Sequence, residues 1–185
     1  MRAPVSTTST TPRRGRGRPR KFDPATALDG ALRTFWSRGY GGTSMDELCA
    51  AMGMNRPSVY ASFGNKDAVY AATIDHYVAT IGVHFLAPLA DPDLKTALTG
   101  FYRAVIDTVT GAHGPRGCIV SCTLPAEAEV SLHARAQLGR VLDQVDGAIH
   151  GRLVRGRADG ALAPDVDLRA LAQIVTGGML TLAIR

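Results

Sequence analysis

Apolar residues recur at helical spacing from Asp23 onward, and the first such run predicts a helix that ends at Gly39. Asp23 suits the N-cap because its carboxylate can accept hydrogen bonds from the free N–H groups of the first turn. Pro24 suits the first helical position, where no N–H is needed. The inward-facing residues of this helix follow a spacing of three or four: Leu28, Ala31, Leu32, Phe35 and Trp36.

Glycines and capping residues divide the next part of the chain into two short helices and a longer one. Thr43 or Ser44 caps the second helix, which Gly53 ends after about two turns. Asn55 caps the third helix and Asn65 caps the fourth. Two short helices joined by a tight glycine turn, with a longer helix before them, predict a helix-turn-helix. The same periodicity also fits a three-helix bundle that does not bind DNA.

The third helix and the N-terminal charge favour DNA binding over the plain bundle. Val59 and Phe63 are four residues apart and point inward, so the outer face is polar. The net charge is +5, but residues 1–21 hold seven of the 21 basic residues and none of the 16 acidic ones. This basic arm therefore indicates a polyanionic partner, with a solvated tail as the alternative. The outer face of the third helix carries Arg56, Ser58, Tyr60 and Ser62.

Helical periodicity continues to the end of the chain, and no alternating run is long enough to predict a strand. The pattern therefore predicts an all-α fold. The fourth helix is expected to run through Tyr77 and Ile81. The later segments are a helix over Leu94–Thr110, a break at Gly111–Gly117, a short segment from Cys118 to Leu124, a helix from Ala126 to Arg157 with interruptions near Ser131 and Gly147, a turn at Gly160–Pro164 and a last helix from Asp167.

Composition and missing motifs exclude several classes of protein. No run of about 18 apolar residues is present to span a bilayer, and no apolar stretch follows the N-terminal arginines as in a secretory signal. Three cysteines at spacings unlike a disulfide framework suit a reducing compartment, so we expect a cytoplasmic protein without a membrane partner. A phosphate-binding glycine loop, a nucleophile elbow and a paired-histidine metal motif are absent. We therefore expect no catalytic activity, no metal and no cofactor.

Short motifs between Arg18 and Val69 resemble the N-terminal domain of the TetR family of transcriptional regulators. They are Gly39-Tyr40, Thr43-Ser44-Met45, Leu48, Gly53, Pro57-Ser58-Val59-Tyr60, Phe63 and Lys66. The resemblance implies a homodimeric repressor that binds a palindromic double-stranded DNA operator and releases it when a small-molecule effector enters the body. It also implies three parts: a basic arm (1–21), a three-helix helix-turn-helix head (22–70) and an α-helical ligand-binding and dimerisation body (71–185).

The resemblance also assigns roles to residues of the head. Arg56 is expected to read a base, because a guanidinium can bond both acceptors of guanine. Pro57 and Ser58 lie beside it at family contact positions. Tyr60 could pack in the core instead, and Lys66 could be a solvated surface residue. The positions that match phosphate contacts of the family are Thr43, Tyr60 and Lys66. Hydroxyl groups, an ammonium group and helix N-termini are all suited to binding phosphate. Ser44 and Ser62 complete the set of candidate DNA-binding residues.

The basic arm contains a motif of its own. The segment Arg16-Gly17-Arg18-Pro19-Arg20 is similar to the core of an AT-hook, in which extended arginines enter a narrow A·T-rich minor groove. Glycine and proline keep such a segment thin and extended. Arg16, Arg18 and Arg20 are therefore candidate DNA contacts, with loose attraction to phosphates as the alternative.

Cys118 and Cys122 are four residues apart, so on a helix they share a face. They could be a pair of small buried apolar residues. They could also form a redox or electrophile sensor, because Arg116 and a helix N-terminus would favour the thiolate of Cys118. Metal binding is the third alternative, although no compact ligand spacing supports it. Cys49, on the inner side of the second helix, is expected in the core.

The effector pocket can be assigned only to a region of the body. Aromatic residues of the fourth and following helices indicate an apolar cavity, although such stripes also form ordinary core. The effector itself is not indicated. The candidate lining residues are Tyr77, Phe85, Phe101, Tyr102, Ile106 and Cys118.

The last helix is expected to form the dimer contact. Gly177 and Gly178 interrupt its apolar stripe and would let a partner helix approach closely. Family members usually pair two C-terminal helices with those of the partner subunit. Only the first is visible here, so the protein is either naturally short or the chain lacks its last helix, and we favour the second alternative. The stripe consists of Leu171, Ile174, Val175, Met179, Leu182 and Ala183.

Two other functions remain open at this point. One is an architectural protein that binds A·T-rich DNA through the arm without a specific operator. The other is a helical ligand-binding protein whose head merely resembles a helix-turn-helix.

Overall fold

The computed structural model describes residues 23–110 and 117–184, and this part of the chain is helical without strands. The all-α prediction is confirmed. The arm with Arg16, Arg18 and Arg20 lies outside the described residues, as does Arg116. The helices are α1 (Pro24–Arg38), α2 (Met45–Ala51), α3 (Arg56–Ser62), α4 (Lys66–Tyr77), α5 (Val83–Leu86), α6 (Leu94–Thr110), α7 (Ile119–Val130), α8 (Leu132–Ala158) and α9 (Leu168–Ala183).

Capping side chains begin the helices of the head, as the sequence predicts. Ser44, rather than Thr43, caps α2 through a capping box with Glu47. In this box the Ser44 hydroxyl accepts from the Glu47 N–H, and the Glu47 carboxylate accepts from the Ser44 N–H. The other caps accept from backbone N–H groups of their first turns and are Asp23 for α1, Asn55 for α3 and Asn65 for α4.

The head is held together by a small core and one close helix contact. Phe35, Leu48 and Val59, one from each of α1, α2 and α3, are each 0% exposed. A Cβ atom at Gly30 of α1 would lie 2.1 Å from the carbonyl oxygen of Ala51 in α2. Because packed interiors cannot absorb such an overlap, the angle between α1 and α2 depends on this glycine.

The fourth helix differs from the prediction after Tyr77. Ile81 lies in a π-helical turn over Val78–Gly82, which is followed by α5 and a 3-10 turn over Ala87–Ala90. Pro88 in this last turn has no N–H to continue an α-helical ladder.

A second core fills the body, and α7 lies between the two cores. Phe101 of α6 and Leu153 of α8 are 0% exposed in the second core, against which α9 also packs. Ile119 and Leu124 of α7 belong instead to the core that includes the head. Cys118, just before α7, packs against both cores. Movement of α7 would therefore be felt by both parts of the molecule.

Of the three breaks predicted between Cys118 and Arg157, two are wrong and one is confirmed. α7 continues through Pro125, because one lost hydrogen bond is offset by burial of Leu124 and Ala128 on either side of it. Gly147 lies inside α8 without interrupting it. Ser131 does separate α7 from α8: its backbone is extended, and its hydroxyl accepts from the N–H of Ala134 at 3.2 Å.

The apolar stripe of α9 is divided between two surroundings. Val175 and Met179 face the core of the body, whereas the side chain of Ile174 is 69% exposed. A Cβ at Gly178 would lie 2.8 Å from the Tyr102 hydroxyl oxygen, while one at Gly177 would meet nothing within 4 Å. The expectation for Gly178 is therefore wrong, because its small size serves a contact within the chain.

Neither a membrane span nor a metal cluster occurs in the part of the chain that the structure describes. Among residues 23–110 and 117–184, no helix has the length and apolar character needed to cross a bilayer. Within the same residues, no three histidine, cysteine or acidic side chains are grouped so that they could hold a metal ion.

Candidate nucleic-acid interface

α3 presents one apolar and one polar face, as the sequence predicts. Val59 is buried, and Phe63 just beyond the helix packs partly buried against the same core. Tyr60 is 49% exposed, which argues against the alternative that it is a core residue. The exposed side chains of α3 include Arg56, Pro57, Ser58, Tyr60 and Ser62, all of them candidate DNA contacts.

Arg56 is paired with a carboxylate that the sequence analysis did not single out. Its Nε donates to Oδ1 of Asp46 at 2.8 Å, and the two side chains are 52% and 79% exposed. The hydrogen bond from Arg56 to Asp46, followed by the attraction between the charges, raises the pKa of the guanidinium. Arg56 therefore stays charged and has a defined direction at the N-terminus of α3.

Lys66 stands at the start of α4 against an aromatic ring. Its Nζ lies 4.1 Å from the centre of the Tyr40 ring, within the range of a cation–π contact. The Tyr40 hydroxyl donates to a carboxylate oxygen of Asp67. Burial and this hydrogen bond raise the pKa of Tyr40 to about 12. Lys66 is half-buried, so the alternative of a freely solvated lysine does not fit.

Thr43 and Ser44 use their hydroxyls within the head. Thr43 is 2% exposed, and its hydroxyl donates to the carbonyl oxygen of Gly39 at 2.7 Å. The expectation that the Thr43 side chain contacts phosphate is therefore wrong for this conformation, because the side chain holds the turn before α2. Ser44 is exposed, but its hydroxyl is engaged in the capping box with Glu47.

Comparison with known proteins identifies this kind of head. Residues 27–73 match the family model described as bacterial regulatory proteins, tetR family. The HTH-type transcriptional repressor ComR of Escherichia coli (strain K12) is 30% identical over 174 residues, which span 88% of this chain and 79% of ComR. The chain belongs to the TetR family of transcriptional regulators. It is thus a member of a class of DNA-binding transcriptional regulators.

Two further relatives of the TetR family agree with this assignment. The HTH-type transcriptional repressor BdcR of E. coli (strain K12) is 37% identical over 75 residues, which span 40% of this chain and 36% of BdcR. A cysteine mutant of the TetR family transcriptional regulator CifR, complexed with 26bp double-strand operator DNA, has a TM-score of 0.81 and 32% identity. The match spans 91% of this chain and 88% of the CifR chain.

An apolar cavity lies in the body, next to Cys118. It has a volume of about 30 Å³, roughly the space of one water molecule. The Tyr77 hydroxyl donates to Sγ of Cys118 at 3.3 Å, and burial raises the pKa of the Tyr77 phenol well above its usual range. The lining residues include Phe85, Leu86, Cys118, Val141, Val145 and Met179.

Only some of the residues predicted to line the effector pocket line this cavity. Of the six candidates, Phe85 and Cys118 line it. The other four do not line it, and their assignment to an effector pocket stays a prediction. Ile106 is 41% exposed on α6 and lies outside the body core. The remaining three lie near by without lining it: Tyr77 behind Cys118, Phe101 against Phe85, and Tyr102, whose hydroxyl donates to the Val175 carbonyl at 2.9 Å.

The three cysteines have different surroundings. Cys49 is 7% exposed, which confirms its place in the core. Cys118 is half-buried at the N-cap of α7, and Cys122 is exposed in the first turn of that helix. The interpretation of Cys118 and Cys122 as a buried pair is therefore wrong for Cys122.

Proposed function

We propose that this TetR family member is a repressor that binds a palindromic operator as a homodimer. A small molecule that enters the body, or modification of a thiol there, releases it from DNA. We further propose that it acts in the cytoplasm and has no catalytic activity. The observation that carries the proposal is the exposed polar face of α3, with Arg56 at its N-terminus and Tyr60 half-exposed beside it. The CifR relative in complex with operator DNA, at 32% identity, supports the same role for this head.

The size of α3 supports a dimer and a palindrome. α3 has 7 residues, so one copy can reach only a few base edges in the major groove. Two copies on half-sites that are one or more helical turns apart supply the missing specificity. The arm would add contacts in the adjacent minor groove through Arg16, Arg18 and Arg20, which lie outside the described residues.

Release by an effector is supported by the position of the cavity. At about 30 Å³ it is too small for an organic effector, so binding requires that the surrounding helices separate. α7 begins at one wall of the cavity, with Cys118 as its N-cap, and its Thr123 hydroxyl lies 2.7 Å from the hydroxyl of Tyr70 in α4. A shift of α7 would thus move α4 and, with it, α3, which precedes α4 in the chain.

Selection of binding sites from a random double-stranded DNA pool, followed by footprinting, tests this function. We expect a short footprint with two inverted half-sites. A diffuse A·T-rich footprint would support an architectural protein instead, and the absence of any footprint would contradict DNA regulation altogether. Small molecules or thiol reagents are then tested for loss of the footprint.

A further inference from the structure

Asp46 and Arg56 join the two short helices of the head on its exposed side. Asp46 is the second residue of α2, and Arg56 is the first residue of α3. The 2.8 Å contact between Oδ1 of Asp46 and Nε of Arg56 links them across ten positions of the chain. Because both side chains are more than half exposed, this pair adds little to stability. Its effect is on the direction of the guanidinium.

The contact with Asp46 uses one of the hydrogen-bond donors of Arg56 and leaves the others free to bind DNA. A guanidinium is a rigid planar fork with five N–H donors, so fixing Nε also fixes the plane of both Nη groups. Guanine offers two acceptors, O6 and N7, in the major groove and needs two donors in that geometry. With Nε held by Asp46, the two Nη groups are the donors that remain for the base.

A free arginine at this position would be a poor reader of bases. Its long side chain would lose rotamer freedom on binding, and the cation stands at the positive end of the α3 dipole. The Asp46 carboxylate offsets both effects. It also places a negative charge beside the DNA phosphates, which weakens binding to every sequence equally.

We propose that Asp46 is a positioning residue that presents the two Nη groups of Arg56 to a guanine and thereby sets the sequence preference of the head. This inference rests on the proposed function of Arg56 as the base-reading residue. It assigns to Asp46 an effect on selectivity that is opposite in sign to its effect on general DNA affinity.

The test compares base preferences of the full chain and its variants, selected from a random double-stranded DNA pool. In Asp46→Ala the preference for guanine at the Arg56 position should fall by about fivefold or more per half-site, the lower range for a bidentate contact. Binding to random DNA should stay equal or become stronger. Glu47→Gln is the matched control, because it removes the same charge one residue away and keeps the capping box. It should leave the guanine preference unchanged.

A double variant separates positioning from a structural role. In the Arg56→Ala background, Asp46→Ala should cause no further change of base preference. Uniform weakening of all sequences by Asp46→Ala would overturn the proposal, as would an unchanged guanine preference in that variant while Arg56→Ala loses it. If Arg56→Ala itself keeps the preference, the role proposed for Arg56 fails, and the role of Asp46 fails with it.

Discussion

Lys66 and Arg56 are both cations near the N-termini of head helices, but their contacts suit different tasks. The Lys66 ammonium rests on the Tyr40 ring and is a point charge, which suits a phosphate. Lys66→Ala should therefore weaken binding to all sequences alike and reduce the slope of log affinity against log salt by about 1 per contact.

Arg56→Ala should instead cost about 1–3 kcal/mol of binding free energy per half-site and relax the base preference at one operator position. Titrations at several salt concentrations, together with operator selection, measure both effects. An unchanged base preference in Arg56→Ala would contradict its reading role.

The cysteines lead to a prediction about reactivity. Cys122 is exposed, Cys118 is half-buried and Cys49 is buried, so a thiol reagent reaches them in that order. If Cys118 is the sensor, a thiol reagent should release the operator in the wild type and in Cys122→Ser, but not in Cys118→Ser. Cys118→Ser should still bind DNA, because the substitution changes one atom in the wall of the cavity. Mass spectrometry of labelled peptides and operator binding follow the two processes. Release that is lost only in Cys122→Ser would transfer the role to the exposed thiol.

At the scale of elements, local signals in the sequence predict the head well and the body less well. Capping residues such as Ser44 and Asn55 act on the turn that contains them, so their effect can be inferred from a few neighbours. The irregular segment after α4 is held by distant residues instead. Arg155 of α8 donates to the Leu89 carbonyl at 3.0 Å, a contact between positions 66 residues apart. No local pattern could indicate it.

The same difference applies to the candidate site. The polar face of α3 could be predicted from the inward positions of Val59 and Phe63. The pairing of Arg56 with Asp46 could not, because it depends on how α2 and α3 cross. The cavity takes half of its lining residues from α8 and α9, where residues such as Val141 and Val145 look like ordinary core in the sequence.

Gln137 offers a test of the contact between α8 and α4. It is 1% exposed, and its Nε2 donates to the Ala71 carbonyl at 2.8 Å and to Asp75 Oδ1 at 3.0 Å. Gln137→Glu replaces this donor by a buried carboxylate that faces two acceptors. It should lower the free energy of unfolding at pH 7 by about 2 kcal/mol or more.

The stability lost in Gln137→Glu should depend on pH in a predictable direction. Burial and the facing oxygens should raise the pKa of the new carboxyl in the folded state above its unfolded value. The loss of stability should therefore shrink as the pH falls through this raised pKa. Urea unfolding at pH 7 and pH 5 measures it. The same change at the exposed Gln144 of α8 is the control and should have little effect. Equal stability of the two variants at pH 7 would contradict the buried contact.

At the scale of the whole molecule, charge is separated along the chain. Deleting residues 1–20 removes six of the arginines and none of the acidic residues. The truncated protein should bind its operator more weakly and with a lower salt dependence, because fewer counterions are released. Circular dichroism should show a folded head, since α1 begins at Pro24 with its cap at Asp23. Equal affinity at moderate salt would mean that the arm is a passive tail.

The exposed face of α9 carries the prediction about assembly. Ile174 and Ile184 are 69% and 65% exposed, and a side chain at Gly177 would meet open space. Large apolar side chains exposed on one helix, with open space at the glycine between them, suit a symmetric contact between two copies. Ile174→Asp should therefore shift the protein from dimer to monomer and weaken operator binding, because the second half-site is no longer bound by a linked head. Ile106→Asp is the control: Ile106 is 41% exposed on α6, so the same charge should leave the dimer intact. Light scattering and operator titration report the two effects together. A wild-type monomer that binds a palindrome tightly, or a dimer that survives Ile174→Asp unchanged, would contradict this assignment of the interface.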